Sequence, residues 1–390
     1  MNNLKNIIVR YGEIGTKSRG TRKNFELKLK ENIKSLLKLH NIYCEVILLH
    51  TRLLVTVKEE NLNKTIDLLK KVAGIVSFSP VETCNLELEQ IEKLAIKVFE
   101  NEINNNIDKY NNKEYITFAV KTQRIKKNFK MNSMELSSYI GAVLSNYINN
   151  KDNNINLKVD LKNPDILLNI ELIDECLIFI GKIKGIGGLP TGTQGKVVVL
   201  FSDGIDSVVA SYYMIRRGCN VILLHMAMSE TTINKANKLY NVLKDYDPKA
   251  ELIIYNYKEI LKNVVLNLKE INREKYICIF CKRTMLKIAE QYAKENNCYG
   301  IVMGDNLGQV ASQTLKNMFV ISSGVEIPIL RPLIGFDKQE IINKAIEIGT
   351  YEISISEEGK CFALPKNPIT NSDIREINYI EKLLNEKKDN

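Results

Sequence analysis

From residue 197 onward, four short runs that are apolar throughout, "KVVVLF", "NVILLHM", "ELIIYNY" and "YGIVMGD", alternate with helix-length stretches. Few architectures accept that pattern. A strand without a polar face must be covered on both sides, and intervening helices supply the cover, so the spacing predicts a doubly wound parallel sheet. Helices are expected from Asp206, Thr231, Lys258 and Cys281. In such sheets ligands bind beyond the carboxyl ends of the strands. The first of these ends reads "LFSDGIDSVVAS" (200–211): strand, small polar loop, helix. The free N–H groups and the helix dipole of such a turn converge on one point and favour an anion there. The G-x-x-x-x-G-K-[ST] spacing of a Walker loop is absent.

At 390 residues the chain has room for two or three domains. Residues 1–75 read strand, helix, strands, helix: "NIIVRYG", then "TRKNFELKLKENIKSLLKLH" with helical period, then "CEVILLHTRLLVTV", then "LNKTIDLLKKVAG" closed by Gly74. Residues 76–180 form a second α+β unit. Its Asn-rich "NEINNNIDKYNN" is a solvated helix end or loop, followed by the strand "YITFAVKT", a basic loop, a helix from Ser133 to Ile148 and the strands "INLKVDL" and "DILLNIEL". The Gly-rich "GKIKGIGGLPTGTQGK" (181–196) marks the boundary to the third unit, 197–390. It imitates a dinucleotide fingerprint, but Pro190 stands where the third glycine belongs and no helix follows, so it is read as a linker.

No apolar run approaches the ~20 residues of a membrane span, and "MNNLKNIIVRYGEIG" lacks the features of a secretion signal. The cytoplasm is the default expectation. The formal charge is +9. Basic residues crowd the start (Arg10, Lys17, Arg19, Arg22, Lys23, Lys28, Lys30) and recur in "KTQRIKKNFK" as Lys121, Arg124, Lys126, Lys127 and Lys130. Such patches attract polyanions; the alternative is a solvated lysine-rich surface. Of eight cysteines, most read as small buried hydrophobes, but "CIFCKR" places Cys278 and Cys281 at a C-x-x-C spacing suited to a metal or redox pair.

The loop residues Ser202, Gly204, Asp206 and Ser207 give S-x-G-x-D-S, which resembles the SGGxDS PP-loop of ATP pyrophosphatases. That resemblance implies a loop wrapping the β,γ-pyrophosphate of ATP and leaving the α-phosphate open to attack, hence adenylation. Ser202 and Ser207 can donate hydroxyl hydrogen bonds, Gly204 lets the backbone approach, and Asp206 acts through Mg2+. The chain departs from the pattern at Asp203, where the family has glycine; Asp tolerates a left-handed backbone, but its charge opposes a nucleotide. Further motifs are "GDNLGQVASQTLKNM" (304–318), with Gln309 and Gln313 on one helix face, "ILRPLIGFDKQEI" and "EIGTYEISISEEGKC". Together with "GGLPTGTQGK" these are similar to the tRNA 4-thiouridine synthetase (ThiI-type sulfurtransferase) family. The resemblance spans essentially the whole chain: "VRYGEIGTKS" and the basic helix after it look like the family's ferredoxin-like domain, and "FAVKTQRIKKNF…VDLKNPDILLNIEL" like its RNA-binding THUMP domain.

The resemblance implies an α/β chain: ferredoxin-like and THUMP α+β domains, then a doubly wound PP-loop ATP pyrophosphatase domain. It implies a substrate, tRNA, whose uridine at position eight is adenylated at the C4 oxygen before a sulfur nucleophile displaces AMP. Leu200, Phe201, His225, Met226, Arg283, Gly304 and Gln313 would join the loop in lining the nucleotide site. Lys338 in "FDKQE" matches the catalytic lysine, Cys361 the cysteine that meets the sulfur. The chain runs only briefly past "NPITNSDIREINYIEKLLNEKKDN", so the expected form is the archaeal-like one without a rhodanese domain. Archaeal relatives with Cys278, Cys281 and Cys361 are associated with an iron–sulfur cluster, of the 4Fe-4S type held by three cysteines, with one iron open to sulfide. A redox or persulfide pair, zinc, which wants a fourth ligand, and purely structural cysteines are the alternatives. Sulfide or another sulfur donor is implied, and a homodimer is open.

Two other readings compete. One keeps the PP-loop but adenylates or thiolates another RNA site or substrate. The other is a non-catalytic tRNA-binding protein, supported by Asp203 and opposed by Asp206, Lys338 and Cys361.

Overall fold

The computed structural model describes residues 3–110, 113–126, 128–151, 156–356 and 361–386. It divides into two compact units, Met1–Gly188 and Leu189–Asn390. The first contains β1 (Leu4–Tyr11), α1 (Arg19–Leu39), β2 (Cys44–Leu49), β3 (Arg52–Lys58), α2 (Leu62–Leu69), β4 (Ile75–Cys84), α3 (Leu88–Asn105), α4 (Ile107–Tyr110), β5 (Ile116–Arg124), α5 (Ser133–Asn149), β6 (Leu157–Val159), β7 (Ile166–Leu172), β8 (Cys176–Ile180) and β9 (Ile183–Lys184). Its strands form one sheet in the order β2-β3-β1-β4-β8-β7-β5-β6, with β9 on β4. β4 joins the halves: Ile75–Val81 pairs with β1, and Glu82–Cys84 with β8.

Alternation along β1 explains how the sheet is covered. Ile7 and Val9 face Leu29, Ile33, Leu36 and Leu37, an apolar stripe at helical spacing on α1, whereas Ile8 turns to the other face and meets Ile173, Leu177 and Phe179. In the second half, Ile91, Ala95, Phe99 and Ile103 of α3 pack with Leu136, Ile140, Leu144 and Ile148 of α5. α5 opens on a capping box, Asn132 with Glu135, a device worth about 1 kcal/mol. Arg10 departs from the surface expected of the basic N-terminal residues. It is 7% exposed, pairs with Glu171 at 2.9 Å, donates to Ser79 at 3.2 Å and lies 4.5 Å over the Phe179 ring.

The second unit contains β10 (Lys196–Phe201), α6 (Ile205–Arg216), β11 (Asn220–Ala227), α7 (Glu230–Leu243), β12 (Glu251–Asn256), α8 (Lys258–Glu270), α9 (Ile277–Glu295), β13 (Ile301–Val302), α10 (Leu315–Ser322), β14 (Ile329–Leu330), α11 (Lys338–Ile348), α12 (Tyr351–Ile355) and α13 (Ile374–Glu386). All five strands are parallel, in the order β12-β11-β10-β13-β14. The chain builds outward from β10 through β11 and β12, then crosses to β13 on the other side of β10. That reversal is a topological switch point, which places a ligand crevice at the carboxyl ends of β10 and β13.

Three local expectations change. α9 begins at Ile277, so Cys278 and Cys281 both lie in its first turns rather than at and before its head. No helix carries Gln309 and Gln313 on one face: Val310 and Thr314 are extended, a 3-10 turn spans only Ala311–Gln313, and α10 begins after Thr314, whose hydroxyl caps Asn317 N–H. The segment "ILRPL" supplies a fifth strand, β14, between Pro328 and Pro332 at the sheet edge, where missing N–H groups are tolerated. Among the described residues no helix is long and apolar enough to cross a membrane.

Candidate active site at the sheet's switch point

β10 ends at Phe201 and the chain turns through Ser202, Asp203 and Gly204 into α6. The two serines close the turn on itself. Ser202 N–H donates to Ser207 Oγ at 3.0 Å, Ser207 Oγ donates to the Ser202 carbonyl at 3.1 Å, and the two hydroxyls lie 3.0 Å apart. Gly204 is the N-cap and provides no side-chain cap, so the first amides of α6 keep their outward donors. Neither loop residue needs a left-handed backbone. Gly204 has φ −87°, and Asp203 is not among the described residues with positive φ. The tight glycine is Gly304, directly after β13. A Cβ there would lie 2.6 Å from Ser207 N and 2.7 Å from Asp206 C, so the absence of a side chain lets the segment after β13 approach the first turn of α6.

Asp206, in the first turn of α6, faces two groups from distant segments. Lys338 Nζ lies 2.6 Å from its Oδ1, and Gln309 Nε2 donates to Oδ2 at 3.2 Å. Lys338 opens α11 behind Asp337, which forms a capping box with Glu340. A cation is unfavourable at a helix start; here Asp206 compensates it. Leu307 N–H donates to the Ile334 carbonyl at 3.2 Å, and Asn306 Nδ2 to the Phe336 carbonyl, which ties the segment after β13 to the approach of α11.

Beside this pair sits a buried group that the motifs did not single out. Asp305 is 4% exposed and accepts from Lys282 at 2.9 Å, Arg331 at 3.1 Å and Gln313 at 3.3 Å. Burial opposes its charge, but Lys282 and Arg331 outweigh burial and hold its carboxyl below the usual range. Gln313 Oε1 has no hydrogen-bond partner, an acceptor that a ligand N–H could satisfy.

His225 is buried at the end of β11. Its Nδ1 lies 3.0 Å from the Phe201 carbonyl, which can only accept, so Nδ1 carries the proton, and Nε2 lies 3.3 Å from Thr232 Oγ1, whose hydroxyl donates to the Ser229 carbonyl at 2.9 Å. Burial lowers its proton affinity and keeps the ring neutral. Leu200 and Met226 pack into the apolar core beside it, and Phe201 is buried. Arg283 is placed elsewhere. Its guanidinium donates to the Ser323 carbonyl and hydroxyl at 3.0 and 2.6 Å and pairs with Glu381 of α13 at 3.0 Å, along a 270 Å³ cavity between α8, α9 and α13. Among the described residues its hydrogen-bond and ion-pair partners, Val320, Ser323 and Glu381, all lie away from the loop.

Cys361 exerts an electrostatic influence on Cys278 and Cys281 of α9. The segment after Cys361 is fixed by Asn317, which is fully buried and donates to the Ile369 carbonyl at 2.8 Å while accepting from Ser372 N–H at 3.0 Å; Ile369 N–H donates to the Lys275 carbonyl at 3.1 Å. Cys361 thereby comes within electrostatic reach of α9. Burial pushes the Cys278 thiol up, and the Cys361 charge adds to it; burial pushes Cys281 up to about 12, with Cys361 and Cys278 adding. All three thiols are free, and among the described residues they are not drawn together into a metal-ligand set. The donor type suits a soft metal or cluster.

In the first unit Lys121 and Lys130 are exposed. Arg124 is half-buried and donates to the Phe129 and Met131 carbonyls at 3.3 and 3.1 Å, closing the basic loop on itself. Lys126 pairs with Asp174. Lys127 lies outside the described residues.

Comparison with known proteins bears on all of this. The family described as "Thiamine biosynthesis protein (ThiI)" matches residues 192–385, the ThiI ferredoxin-like domain residues 6–79 and the THUMP domain residues 86–180. A probable tRNA sulfurtransferase of Methanocaldococcus jannaschii is 50% identical over 378 residues, 96% of each chain. One of Thermococcus kodakarensis is 42% identical, over 96% of this chain and 95% of its own. The solved structure of a 4-thiouridine synthetase–RNA complex with bound ATP aligns with a TM-score of 0.84 at 34% identity, covering 99% of this chain and 97% of that one. Likeness at this level along the whole length of both chains leaves one assignment: the chain belongs to the ThiI family of tRNA sulfurtransferases.

Proposed function

We propose that this protein is an ATP-dependent tRNA sulfurtransferase that converts the uridine at tRNA position eight to 4-thiouridine. The observation that carries the reading is the meeting of Asp206, Lys338 and Gln309 at the N-terminus of α6, where the order of strand addition reverses. The uncapped amides of α6 and the Ser202 hydroxyl bind the pyrophosphate end of ATP. Asp206 would hold Mg2+, which would supply positive charge against the phosphates, and the Lys338 cation stabilises charge that develops on the α-phosphate as the uridine C4 oxygen attacks. Leu200, Phe201 and Met226 form the apolar wall for the base. His225 is a neutral spacer between β10 and α7, and Arg283 supports the site through α10 and α13.

Cys278, Cys281 and Cys361 are the residues that would hold an iron–sulfur cluster, which would supply a site for binding sulfide. The surrounding residues do the rest: Lys282 keeps a positive charge beside the thiols, and Asn317 fixes the segment that brings Cys361 to α9. Lys121, Arg124, Lys126, Lys127 and Lys130 of the residue 76–180 domain contribute to tRNA binding, the residue 1–75 domain joins them, and 181–196 links both to the ATP pyrophosphatase domain at 197–390. Sulfide or a persulfide-bearing donor supplies the sulfur, the protein works in the cytoplasm, and a homodimer brings two such sites to one assembly.

The test is anaerobic incubation of purified protein with unmodified tRNA, ATP, Mg2+ and sulfide, followed by nucleoside mass spectrometry. Formation of 4-thiouridine at position eight supports the reading; AMP and pyrophosphate release without it defeats the assignment of the acceptor. Iron content and visible absorbance of the same preparation test the cysteine site separately. Replacing any one of the three cysteines with Ala should remove both iron and thiolation, whereas Cys219→Ala should remove neither.

A further inference from the structure

The polyphosphate loop carries a carboxylate, Asp203, where the PP-loop pattern has glycine. A second negative charge beside Asp206 should oppose an incoming nucleotide polyanion. The fold answers it from α7. Lys235 stands on the buried face of that helix with Ala236, Leu239 and Leu243, an unusual place for a lysine, and its side chain is 7% exposed. Its Nζ lies 3.8 Å from Asp203 Oδ2. That separation is beyond hydrogen-bond reach, so the pair acts through charge rather than through a directional bond. The same point is reached from β11: Thr232, one turn before Lys235, holds His225, and the Asp203 charge is felt at the His225 ring.

We propose that Lys235 is the counter-charge of Asp203, a positioning residue that cancels the extra carboxylate and so keeps the α6 amides available to the polyphosphate of a nucleoside triphosphate. Asp203 and Lys235 are therefore one functional unit: the departure from the family loop is tolerated because a buried lysine accompanies it. The inference rests on the reading of this loop as the ATP site.

A double-mutant cycle with direct measurement of ATP–Mg2+ binding tests it. Lys235→Met should weaken ATP binding by about tenfold and raise KM for ATP while kcat falls by less than about threefold. Affinity for tRNA should stay within about twofold of wild type, because that ligand is held by the other domains. Asp203→Asn in the Lys235→Met background keeps the loop's shape, removes its charge and should restore ATP affinity to within about threefold of wild type. Lys235→Arg, which retains the charge, should bind ATP as wild type does. Unchanged ATP affinity in Lys235→Met overturns the proposal. So does failure of the double variant to recover, since Lys235 would then act on the nucleotide or on folding directly. Should Lys235→Met not fold, recovery of a folded, ATP-binding protein by Asp203→Asn/Lys235→Met still supports the pairing, and an unfolded double variant overturns it. A wild-type protein that binds no ATP defeats the reading of the site itself, a result distinct from all of these.

Discussion

Asp206 and Lys338 are 132 positions apart in sequence and 2.6 Å apart in space. Each serves as the other's charge partner. Asp206→Ala should therefore abolish tRNA-dependent pyrophosphate release, a loss of about 10²–10³ or more as for other preorganised electrostatic groups. Affinity for tRNA should remain near wild type. Normal pyrophosphate release by that variant would sink its catalytic role. His225 carries a pH prediction. Its folded-state proton affinity is lowered by burial, so below the free value of about 6.5 the unfolded chain takes up a proton that the folded ring refuses. Stability from this residue is present above that pH and is lost as pH falls below it. Thermal melts at about pH 7.5 and 5.5 should show a smaller acid loss for His225→Asn than for wild type; equal losses would remove His225 from the account. The residues legible in sequence were those in compact motifs, Ser202, Asp206, Ser207 and Lys338. Lys235 was not legible, because a lysine in "NKANK" reads as solvated helix surface until its helix is docked. Asp305, Lys282 and Arg331 escaped for a related reason: each looks unremarkable alone, and only the sheet's reversal brings three elements to one carboxylate.

At the scale of elements, the apolar runs predicted the parallel sheet because doubly covered strands admit no polar face. β14 was not readable: two residues between prolines carry no period, and their pairing with β13 is set by the chain's return across the sheet. The helix expected to present Gln309 and Gln313 was a misreading of period, overridden by the Thr314 cap. Contact between β13 and α6 yields the clearest element-level prediction. Gly304→Ala places a methyl against the Ser207 amide and Asp206 carbonyl carbon, backbone that cannot swing aside as a side chain would. It should cost about 1–3 kcal/mol of stability in denaturant melts and weaken ATP binding, because the displaced atoms belong to the anion-binding turn. Full stability and full ATP affinity in this variant would mean that the close approach is incidental.

For the whole molecule, the loop at Ser202–Ser207 and the basic loop at Lys121–Lys130 lie in different compact units. Basic side chains that neutralise phosphates release counterions, so log affinity for tRNA should fall linearly with log salt. Lys121→Glu/Lys130→Glu reverses two exposed charges and should weaken binding and flatten that slope by about 1–2 units, without altering ATP affinity. Untouched affinity and slope would make the basic loop ordinary solvated surface. The sharing of β4 also has a consequence for how the chain is made. Its first seven residues find β1 at once, since β1 precedes them. Glu82–Cys84 have their partner in β8, at Cys176–Ile178, which the ribosome has yet to build. Until then the nascent chain carries an unfinished sheet edge through the synthesis of α3, β5, α5 and β7. Closure of this sheet thus waits for the chain to grow from Cys84 to Cys176, and a ribosome stalled between them presents an open strand to its neighbours.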